Sequence, residues 1–403
     1  MKSLIVVFIC FCIFPSSREL TAQNNKLALV GGKIYPSPTA GAIENGVVLI
    51  NGTKIVDVGT KRGISIPDGY MVLDCSGTVL TAGYWNCHMH FGERKWAGAD
   101  SLPAQQLGDL LKEMLTQYGF TTVIDLWGYD YVRAIQNRVS AGEVFGPRIF
   151  RADLPIHIKG GTDYLPAEIV KTAHVVENPI EARGATRTIL ANGADVIKIY
   201  VGFGPNGAMS TDVVTAIAAE AHSQGKLVFA HPENTAGIRA AIDGRVDVVA
   251  HTITRDTVPK LLLNEMKQAG IALIPTVKSW NFWAKQQNKP SDEAQAMITN
   301  ALDGLRRYSA MGGSILFGTD IGGITDYDPT EEYHLMGDAG MSFQQVLSSL
   351  TTAPAALFRL STTTGKIARG MDADIVVLSA DPSTDLAAFA RIKHTIRSGK
   401  IVY

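Results

Sequence analysis

Residues 226–231, KLVFAH, and residues 246–251, VDVVAH, are two strand-length apolar runs that each end in a histidine. A segment of helical length separates the two runs. Alternation of strand and helix is typical of a parallel sheet, whose strands all end at one edge. Both histidines are therefore expected at the same end of a sheet.

The alternation extends along most of the chain, from about Ala82 to Leu360. The strand-like runs are residues 84–90 (YWNCHMH), 120–125 (FTTVID), 147–153 (PRIFRAD), 195–200 (DVIKIY), 226–231, 246–251, 271–276 (IALIPT) and 314–320 (SILFGTD). Eight strand and helix units predict an α/β fold, a (β/α)8 TIM barrel, which typically takes about 250 residues. A doubly wound open sheet is the main alternative, but no glycine-rich dinucleotide fingerprint follows the first run.

Both ends of the chain read as short strands broken by turns, with an Asn51-Gly52 hairpin signal near the start. So few strands would be marginal alone, so the two ends are predicted to form one small β-sandwich domain together. The expected domains are a signal peptide at residues 1–22, the two parts of the β-domain at 23–82 and 361–403, and the barrel at 83–360.

The first residues have the layout of a secretory signal peptide: Lys2, an apolar run from Leu4 to Phe14, and the small residue Ala22. Export to the periplasm or the extracellular space is expected. The apolar run is shorter than the about 20 residues that span a membrane, so no stable membrane anchor is expected. Removal of this segment leaves Cys75 and Cys87 as the remaining cysteines. The sequence is compatible both with a disulfide between them and with two buried free thiols.

The charge balance argues against a nucleic-acid partner. Lys and Arg number 37 against 38 Asp and Glu, which gives a formal net charge of -1. The chain contains no basic block of the kind that binds phosphate backbones.

Potential metal ligands collect at the ends of the strand-like runs. They are His88 and His90 in the first run, Lys198 in the fourth, His231 in the fifth, His251 in the sixth and Asp320 in the eighth. In a barrel these ends open at the face that carries the active site. Imidazole and carboxylate donors suit zinc or another divalent cation, so one or two ions are predicted there. Lys198 does not fit this set of metal ligands, because an ammonium has no lone pair. An ion pair between Lys198 and Asp320 in the barrel interior is the alternative role, and the sequence leaves it open.

The motifs HMH (88–90), VIKIY (196–200), VFAH (228–231), VVAH (248–251) and LFGTD (316–320) occur in that order. Together with the ending GKIARGMDADIVVL (365–378), they resemble the amidohydrolase superfamily over nearly the whole mature chain. The most similar branch groups imidazolonepropionase-like proteins with Xaa-Pro and related dipeptidases.

The resemblance implies a site with two divalent ions, expected to be zinc, bridged by a lysine carboxylated by CO2. Carried over, one ion takes His88, His90, Lys198 and Asp320, and the other takes Lys198, His231 and His251. N6-carboxylation of Lys198 turns a cation into an anion that metals favour. A hydroxide held between the ions then attacks an amide carbon, with Asp320 as general acid and base.

Features around these ligands concern the substrate. Tyr200 shares the inward parity of Lys198 and is a candidate substrate-binding residue. Trp280, Phe282 and Trp283 follow the seventh run and are candidates for an apolar wall. Many amidohydrolases carry an acidic residue two positions before the first histidine, where this chain has Asn86, which puts support for His88 in doubt.

The expected function is that of a secreted metal-dependent amidohydrolase that cleaves a carbon–nitrogen bond in a small linear or cyclic amide. The first alternative is an Xaa-Pro or related metallo-dipeptidase, which needs a cation for the substrate carboxylate, with Lys159, Arg255 and Lys278 as candidates. Further alternatives are a mononuclear deaminase or imidazolonepropionase, an esterase or lactonase, and a non-catalytic binding protein. A homo-oligomer is compatible with the resemblance.

Overall fold

The computed structural model describes residues 26–161, 173–202 and 209–403. The signal peptide predicted for residues 1–22 lies outside these ranges. Within them, no helix combines the length and apolar character needed to cross a membrane.

The elements alternate as the sequence indicates. The strands are β1 (Lys26–Ile34), β2 (Ile43–Asn51), β3 (Lys54–Thr60), β4 (Met71–Asp74), β5 (Val79–Ala82), β6 (Tyr84–Met89), β7 (Phe120–Asp125), β8 (Arg148–Arg151), β9 (Ile156–Ile158), β10 (His174–Val176), β11 (Val196–Val201), β12 (Leu227–Pro232), β13 (Val248–Ala250), β14 (Ala272–Ile274), β15 (Ile375–Leu378), β16 (Ile392–Arg397) and β17 (Lys400–Ile401). The helices are α1 (Ala104–Met114), α2 (Asp130–Ser140), α3 (Pro179–Ala191), α4 (Thr211–Ser223), α5 (Thr235–Asp243), α6 (Lys260–Gln268), α7 (Val277–Gln286), α8 (Ser291–Ala310), α9 (Thr330–Asp338), α10 (Phe343–Leu350) and α11 (Thr352–Leu357).

The two ends of the chain contribute to one sheet, in the order β17-β16-β15-β5-β1-β2-β3, with β4 also paired to β1. The antiparallel pair of β5 and β15 joins the N-terminal strands to the C-terminal ones. Side chains alternate along β1, so that Leu27 and Leu29 belong to one apolar cluster and Ala28 and Val30 to another. Both faces of the sheet are thus covered by apolar side chains. The domain boundaries after residues 82 and 360 stay predictions.

The hairpin predicted at Asn51-Gly52 joins β2 and β3. These strands pair in antiparallel fashion, with Asn51 opposite Lys54. Gly52 has a φ of 60°, a left-handed conformation that tight hairpins require and that glycine adopts readily.

The central part of the chain is a (β/α)8 barrel of parallel strands, as predicted. The ladders β6-β7-β8 and β11-β12-β13-β14 form most of its wall. The amide of Asp195 donates to the carbonyl of Arg151 at 2.8 Å and connects β8 to β11. Residues 314–320 close the barrel, because Leu316 N donates to Leu273 O at 2.9 Å and Cys87 N donates to Phe317 O at 2.7 Å.

Two local details of the barrel differ from the strand-like runs of the sequence. The eighth run bonds both neighbouring strands, but only Ile315 forms a ladder bridge within it, to Leu273, and the run leaves the extended conformation at Asp320, where φ is 62°. Residues 156–158, which are not among the strand-like runs of the sequence, form β9, which pairs with β10 and touches β11. A three-residue strand is too short for its side-chain pattern to show in the sequence.

Strand parity separates the barrel interior from the layer beneath the helices. Val196 and Phe229 pack in the interior cluster, whereas Ile197 and Val228 pack against the helices. Residues at even spacing from Val196 and Phe229 therefore also point inward. Lys198, Tyr200 and His231 are such residues.

Of the two alternatives for the cysteines, the structure has the unpaired one. Cys75 and Cys87 are free, buried thiols. They belong to different apolar clusters, Cys75 in the terminal sheet and Cys87 in the barrel interior.

Candidate active site

The six predicted metal ligands lie at or near the carboxyl ends of barrel strands. His88 and His90 come from the end of β6, Lys198 from β11, His231 from β12, His251 from the residue after β13, and Asp320 from the end of the eighth run. Parallel strands end at one face of the barrel, so the fold brings these side chains together. Their role as ligands stays a prediction.

Asp320 connects the two histidines of the first strand. Its Oδ1 lies 2.8 Å from Nε2 of His90 and 3.3 Å from Nε2 of His88. One donor atom from each of these three residues falls within 4.8 Å of the others, which is a spacing that can hold a metal ion.

The four histidine rings form a continuous row. The ring centroids of His90 and His88 are 5.1 Å apart, those of His88 and His251 are 4.4 Å apart, and those of His251 and His231 are 4.2 Å apart. The row thus connects the three-residue group around Asp320 to the histidines of the fifth and sixth strands.

Backbone conformation, as well as strand parity, brings two of these residues into the site. Ala250 faces the barrel interior, so simple alternation would turn residue 251 outward. His251 instead has a φ of 88°, and Asp320 has a φ of 62°. Left-handed residues other than glycine are uncommon and are found at functional sites more often than elsewhere.

Asn86 supports the end of β6 through the backbone and a neighbouring strand. Its side-chain nitrogen donates to Thr319 Oγ1 at 2.7 Å, and its oxygen accepts from the amide of His88 at 3.3 Å. The His88 ring atom Nδ1 has no hydrogen-bond partner in the described part of the chain. Asn86 therefore fixes the strand beside Asp320 and does not orient the ring of His88.

Lys198 is the cationic side chain among the six. It is 2% exposed, and its Nζ finds no hydrogen-bond partner among residues 26–161, 173–202 and 209–403. The pairing with Asp320 left open by the sequence is therefore not formed. Nζ lies 5.6 Å from the ring centroid of Tyr200. Burial lowers the pKa of Lys198 to about 7, against the opposing effect of Asp320.

Burial also sets the protonation of the neighbouring groups. It lowers the pKa values of His88, His231 and His251 well below the usual histidine range, with a further contribution from the charge of Lys198. Burial raises the pKa of Asp320, but the hydrogen bond to His90 and nearby positive charges outweigh this effect and lower it. Neutral imidazoles and an ionised carboxylate are the forms that bind metals.

The chemistry of these side chains fits divalent metal ions. Imidazole nitrogen and carboxylate oxygen are suitable donors for zinc and similar cations. A cluster this buried, in which His88 Nδ1 and Lys198 Nζ have no hydrogen-bond partner among the described residues, is costly unless a further group satisfies it. His88, His90 and Asp320 constitute the candidate metal site.

The comparisons with known proteins agree with this geometry. The profile of the amidohydrolase family matches residues 79–402. The chain belongs to the amidohydrolase family. Ochratoxinase from Aspergillus niger is 26% identical over an alignment that covers 97% of this chain and 92% of that protein.

Solved structures share the fold of this amidohydrolase. A Xaa-Pro dipeptidase with bound methionine superposes with a TM-score of 0.80 at 24% identity, covering 93% of this chain and 99% of that one. The ochratoxinase of A. niger superposes with a TM-score of 0.78 at 22% identity, covering 94% and 96%. The structures show the shared fold, and the family membership together with the ochratoxinase relative identifies the chain as a hydrolase that acts on carbon–nitrogen bonds.

Aromatic side chains flank the histidine row of this amidohydrolase. The ring of Trp280 lies 5.4 Å from that of His251, and the ring of Tyr200 stacks on that of His231 at 4.7 Å. Trp127 packs edge-on against Tyr200 at 5.9 Å. Trp280 thus lies where an apolar wall was predicted, whereas Trp283 is partly exposed at the surface.

The cations proposed for carboxylate recognition are engaged elsewhere. Lys159 pairs with Glu177 at 3.0 Å, and Arg255 pairs with Glu233 at 2.7 Å. Lys278 is buried, and its Nζ binds Asp326 through both the carboxylate and the carbonyl at 3.0 Å. Lys278 is therefore a structural residue, which removes it as a candidate for the substrate carboxylate.

A recess of about 380 Å³ lies at the opposite end of the barrel and is lined by Phe150, Leu227 and Phe358 among others. None of the six predicted ligands lines it. Its location separates it from the site described above.

The sequence interpretation missed Thr276 and Trp127. Thr276 Oγ1 lies 2.6 Å from Nδ1 of His251, and Trp127 is the neighbour of Tyr200. For Thr276 a signal was present, because it ends the seventh strand-like run in the way that histidines end the fifth and sixth. Trp127 follows the second run in an irregular segment, which gives no comparable pattern.

Proposed function

We propose that this amidohydrolase uses two divalent metal ions, expected to be zinc, to hydrolyse the amide bond of a small molecule. His88, His90, Lys198 and Asp320 would hold one ion, and Lys198, His231 and His251 the other. Lys198 would be carboxylated on its amine and bridge the two. The site would lie at the carboxyl face of the barrel domain that the sequence predicts for residues 83–360.

The observation that carries the proposal is the continuous row of histidine rings with Asp320 at one end and Lys198 beside it. Four imidazoles with ring centroids 4.2 to 5.1 Å apart along the row are more donors than a single tetrahedral ion needs once a carboxylate is added. Lys198 Nζ has no bonding partner in the described structure, and a carbamate there would add two oxygen donors.

Metals at this site would supply Lewis acidity, which polarises a substrate carbonyl and makes water a stronger acid. The protein would supply proton transfer. Asp320 Oδ1 is already hydrogen-bonded to Nε2 of His90, so its other oxygen is the one proposed to take a proton from the attacking water. The same carboxyl group would then give the proton to the leaving nitrogen, because an amine leaves poorly without it.

The side chains around the row are proposed to bind the substrate. Tyr200 lies between His231 and Trp127, where its phenol can contact a bound carbonyl. Trp280 lies beside His251 and provides an apolar surface. This surface favours substrates with an apolar or aromatic group next to the scissile amide.

A substrate panel tests the proposal. Purified protein would be assayed against N-acyl amino acids, aryl amides, cyclic amides and Xaa-Pro dipeptides, before and after metal removal by a chelator. Amide hydrolysis that disappears on chelation and returns with zinc is expected. Amide hydrolysis that persists at full rate in metal-free protein would refute the proposal.

A dipeptidase is the second candidate function, because the structure of a Xaa-Pro dipeptidase superposes on 93% of this chain. A dipeptide has a free carboxylate that a cation must bind. Lys159 and Arg255 are the candidates, since their side chains are 76% and 69% exposed although each pairs with a glutamate, and Arg255 is tested first because it lies four residues after His251. Hydrolysis of Xaa-Pro dipeptides that is lost in Arg255→Met, with other amides unaffected, would favour this activity.

Export is proposed on the residues that precede the described structure. Lys2, the run from Leu4 to Phe14, and Ala22 suggest cleavage near Ala22. Mass spectrometry of the mature protein from the periplasm or the medium tests this, and an intact N-terminus in the cytoplasm would refute it.

A further inference from the structure

Thr276 has a backbone conformation that threonine rarely adopts. Its φ is 46° and its ψ is 42°, at the point where the seventh strand passes into α7, and its side chain is fully buried. A β-branched residue in the left-handed region is an outlier. Such a conformation persists only where the surrounding structure fixes it, and it is frequent at functional sites.

The hydroxyl group of Thr276 contacts one member of the histidine row. Oγ1 lies 2.6 Å from Nδ1 of His251. The backbones of the two strand ends are joined as well, because His251 N donates to Ile274 O at 2.8 Å and Thr252 N donates to Pro275 O at 3.2 Å. With the backbone fixed, the hydroxyl contact decides how the ring of His251 is rotated.

Glu332 holds the segment directly after Thr276. Its two carboxylate oxygens accept hydrogen bonds from the amides of Val277 at 3.1 Å and Lys278 at 2.7 Å. These are the first two amides of α7, which have no partner inside the helix. Glu332 is fully buried. A return of Thr276 to an ordinary conformation would turn both amides away from this carboxylate.

We propose that Thr276 and Glu332 are positioning residues for His251. The Thr276 hydroxyl accepts the Nδ1 proton of His251, which leaves the lone pair of Nε2 directed into the site. Glu332 keeps Thr276 in the conformation that makes this contact. A metal-binding histidine commonly donates its other ring N–H to such a partner, which fixes the tautomer. The inference rests on the proposed function in that it takes His251 as a ligand.

Five variants separate this role from a general effect on packing. Thr276→Val keeps the shape and removes the hydroxyl, whereas Thr276→Ser keeps the hydroxyl. Thr252→Val is the matched control, because Thr252 is a buried threonine next to His251 whose hydroxyl bonds Pro275 O at 3.3 Å and not the ring. Glu332→Gln is compared with Glu331→Gln, whose carboxylate bonds Asn281 at 2.6 Å.

The first readout is the rate at which zinc is lost to a chelator from each folded variant. Thr276→Val and Glu332→Gln are expected to lose zinc about 10- to 100-fold faster than wild type, the usual effect of removing a partner of a ligand. Thr276→Ser and the two control variants are expected to match wild type. Equal rates for Thr276→Val and wild type, or equal defects in Thr276→Ser and Thr276→Val, would overturn the inference.

The second readout is the ¹⁵N spectrum of the histidine rings, which needs no metal. His251 in wild-type protein is expected as the Nδ1–H tautomer, with this signal changed in Thr276→Val and retained in Thr276→Ser. An Nε2–H tautomer in metal-free wild type would overturn the inference. Wild-type protein that binds no zinc but shows the Nδ1–H tautomer would refute the proposed function and leave the positioning role supported.

Discussion

Oδ1 of Asp320 lies 2.8 Å from Nε2 of His90, so the last residue of the eighth strand-like run contacts the last histidine of the first. The backbone segments that follow these two strand ends are also packed closely against each other. Gly322 has a φ of +86°, and a Cβ atom there would lie 1.6 Å from the carbonyl oxygen of His90. His90 N also donates to Ile321 O at 2.8 Å. The two strand ends that close the barrel therefore form one fixed unit at the site.

Replacement of Asp320 by asparagine tests its role in proton transfer. An amide cannot accept and return the proton, so Asp320→Asn is expected to lower kcat for amide hydrolysis by about 10²- to 10⁴-fold, the usual contribution of general acid–base catalysis. Asp326→Asn is the control, because Asp326 lies in the loop after the same run and its carboxylate, which is 54% exposed, contacts Lys278 and none of the six predicted ligands. Steady-state kinetics that show equal kcat for both variants would exclude this role.

Lys198 is predicted to be required for metal binding. Lys198→Ala removes the proposed bridge, so it is expected to retain the fold and lose most of its bound metal and activity. Lys226→Ala is the control at the opposite end of the barrel and is expected to retain both. Metal content, activity and circular dichroism are the measurements, and a fully active Lys198→Ala would contradict the proposed bridge.

Carbon dioxide is predicted to limit reconstitution. Metal-free protein treated with zinc in CO2-depleted buffer should recover activity more slowly than protein treated with zinc and bicarbonate. Without CO2 no carbamate forms on Lys198, and the ammonium form of Lys198 has no lone pair that could bind a metal. Recovery that does not depend on bicarbonate would indicate that Lys198 acts without carboxylation.

Trp280 is predicted to contribute to substrate binding. Trp280→Ala removes the ring beside His251 and is expected to raise KM for aryl amides about tenfold, consistent with the one to two kcal/mol that a buried aromatic contact contributes. The smallest acetamides should be affected less. Trp283→Ala is the control, since Trp283 is partly exposed. Equal KM changes for both variants, or for both substrate classes, would contradict the prediction.

Asp372 connects the terminal sheet to the barrel and makes stability depend on pH. Its carboxylate binds Lys54 and Arg148, each at 2.7 Å. Burial raises its pKa, but these two hydrogen bonds outweigh burial and lower it below the usual 3.8. The stabilisation is therefore complete above the unfolded pKa and is lost as the pH falls through the lower folded pKa.

Asp372→Asn is accordingly expected to lower the free energy of unfolding at pH 7 by about 1–3 kcal/mol, with a smaller difference from wild type below pH 4. Asp385→Asn, which removes an exposed pair with Arg391, is expected to cost under about 1 kcal/mol. Urea unfolding at both pH values measures this. A constant difference between Asp372→Asn and wild type across the pH range would contradict the pKa assignment.

The barrel was predictable because strand and helix patterns have different periods and alternate throughout the middle of the chain. Strand parity also placed Lys198, Tyr200 and His231 on the inner face. The positive φ values of His251 and Asp320 were not predictable, because they depend on contacts between distant segments. The same holds for Lys278, whose bonds to the loop after the eighth run appear only in three dimensions.

The most direct test of the account is the metal content per chain. Protein purified from Gln23 onward, without chelators and with bicarbonate present, would be analysed for divalent metals together with its amide hydrolase activity. The account predicts two divalent ions per chain in fully active protein. One ion per chain at full activity, or full activity with no bound metal, would contradict it.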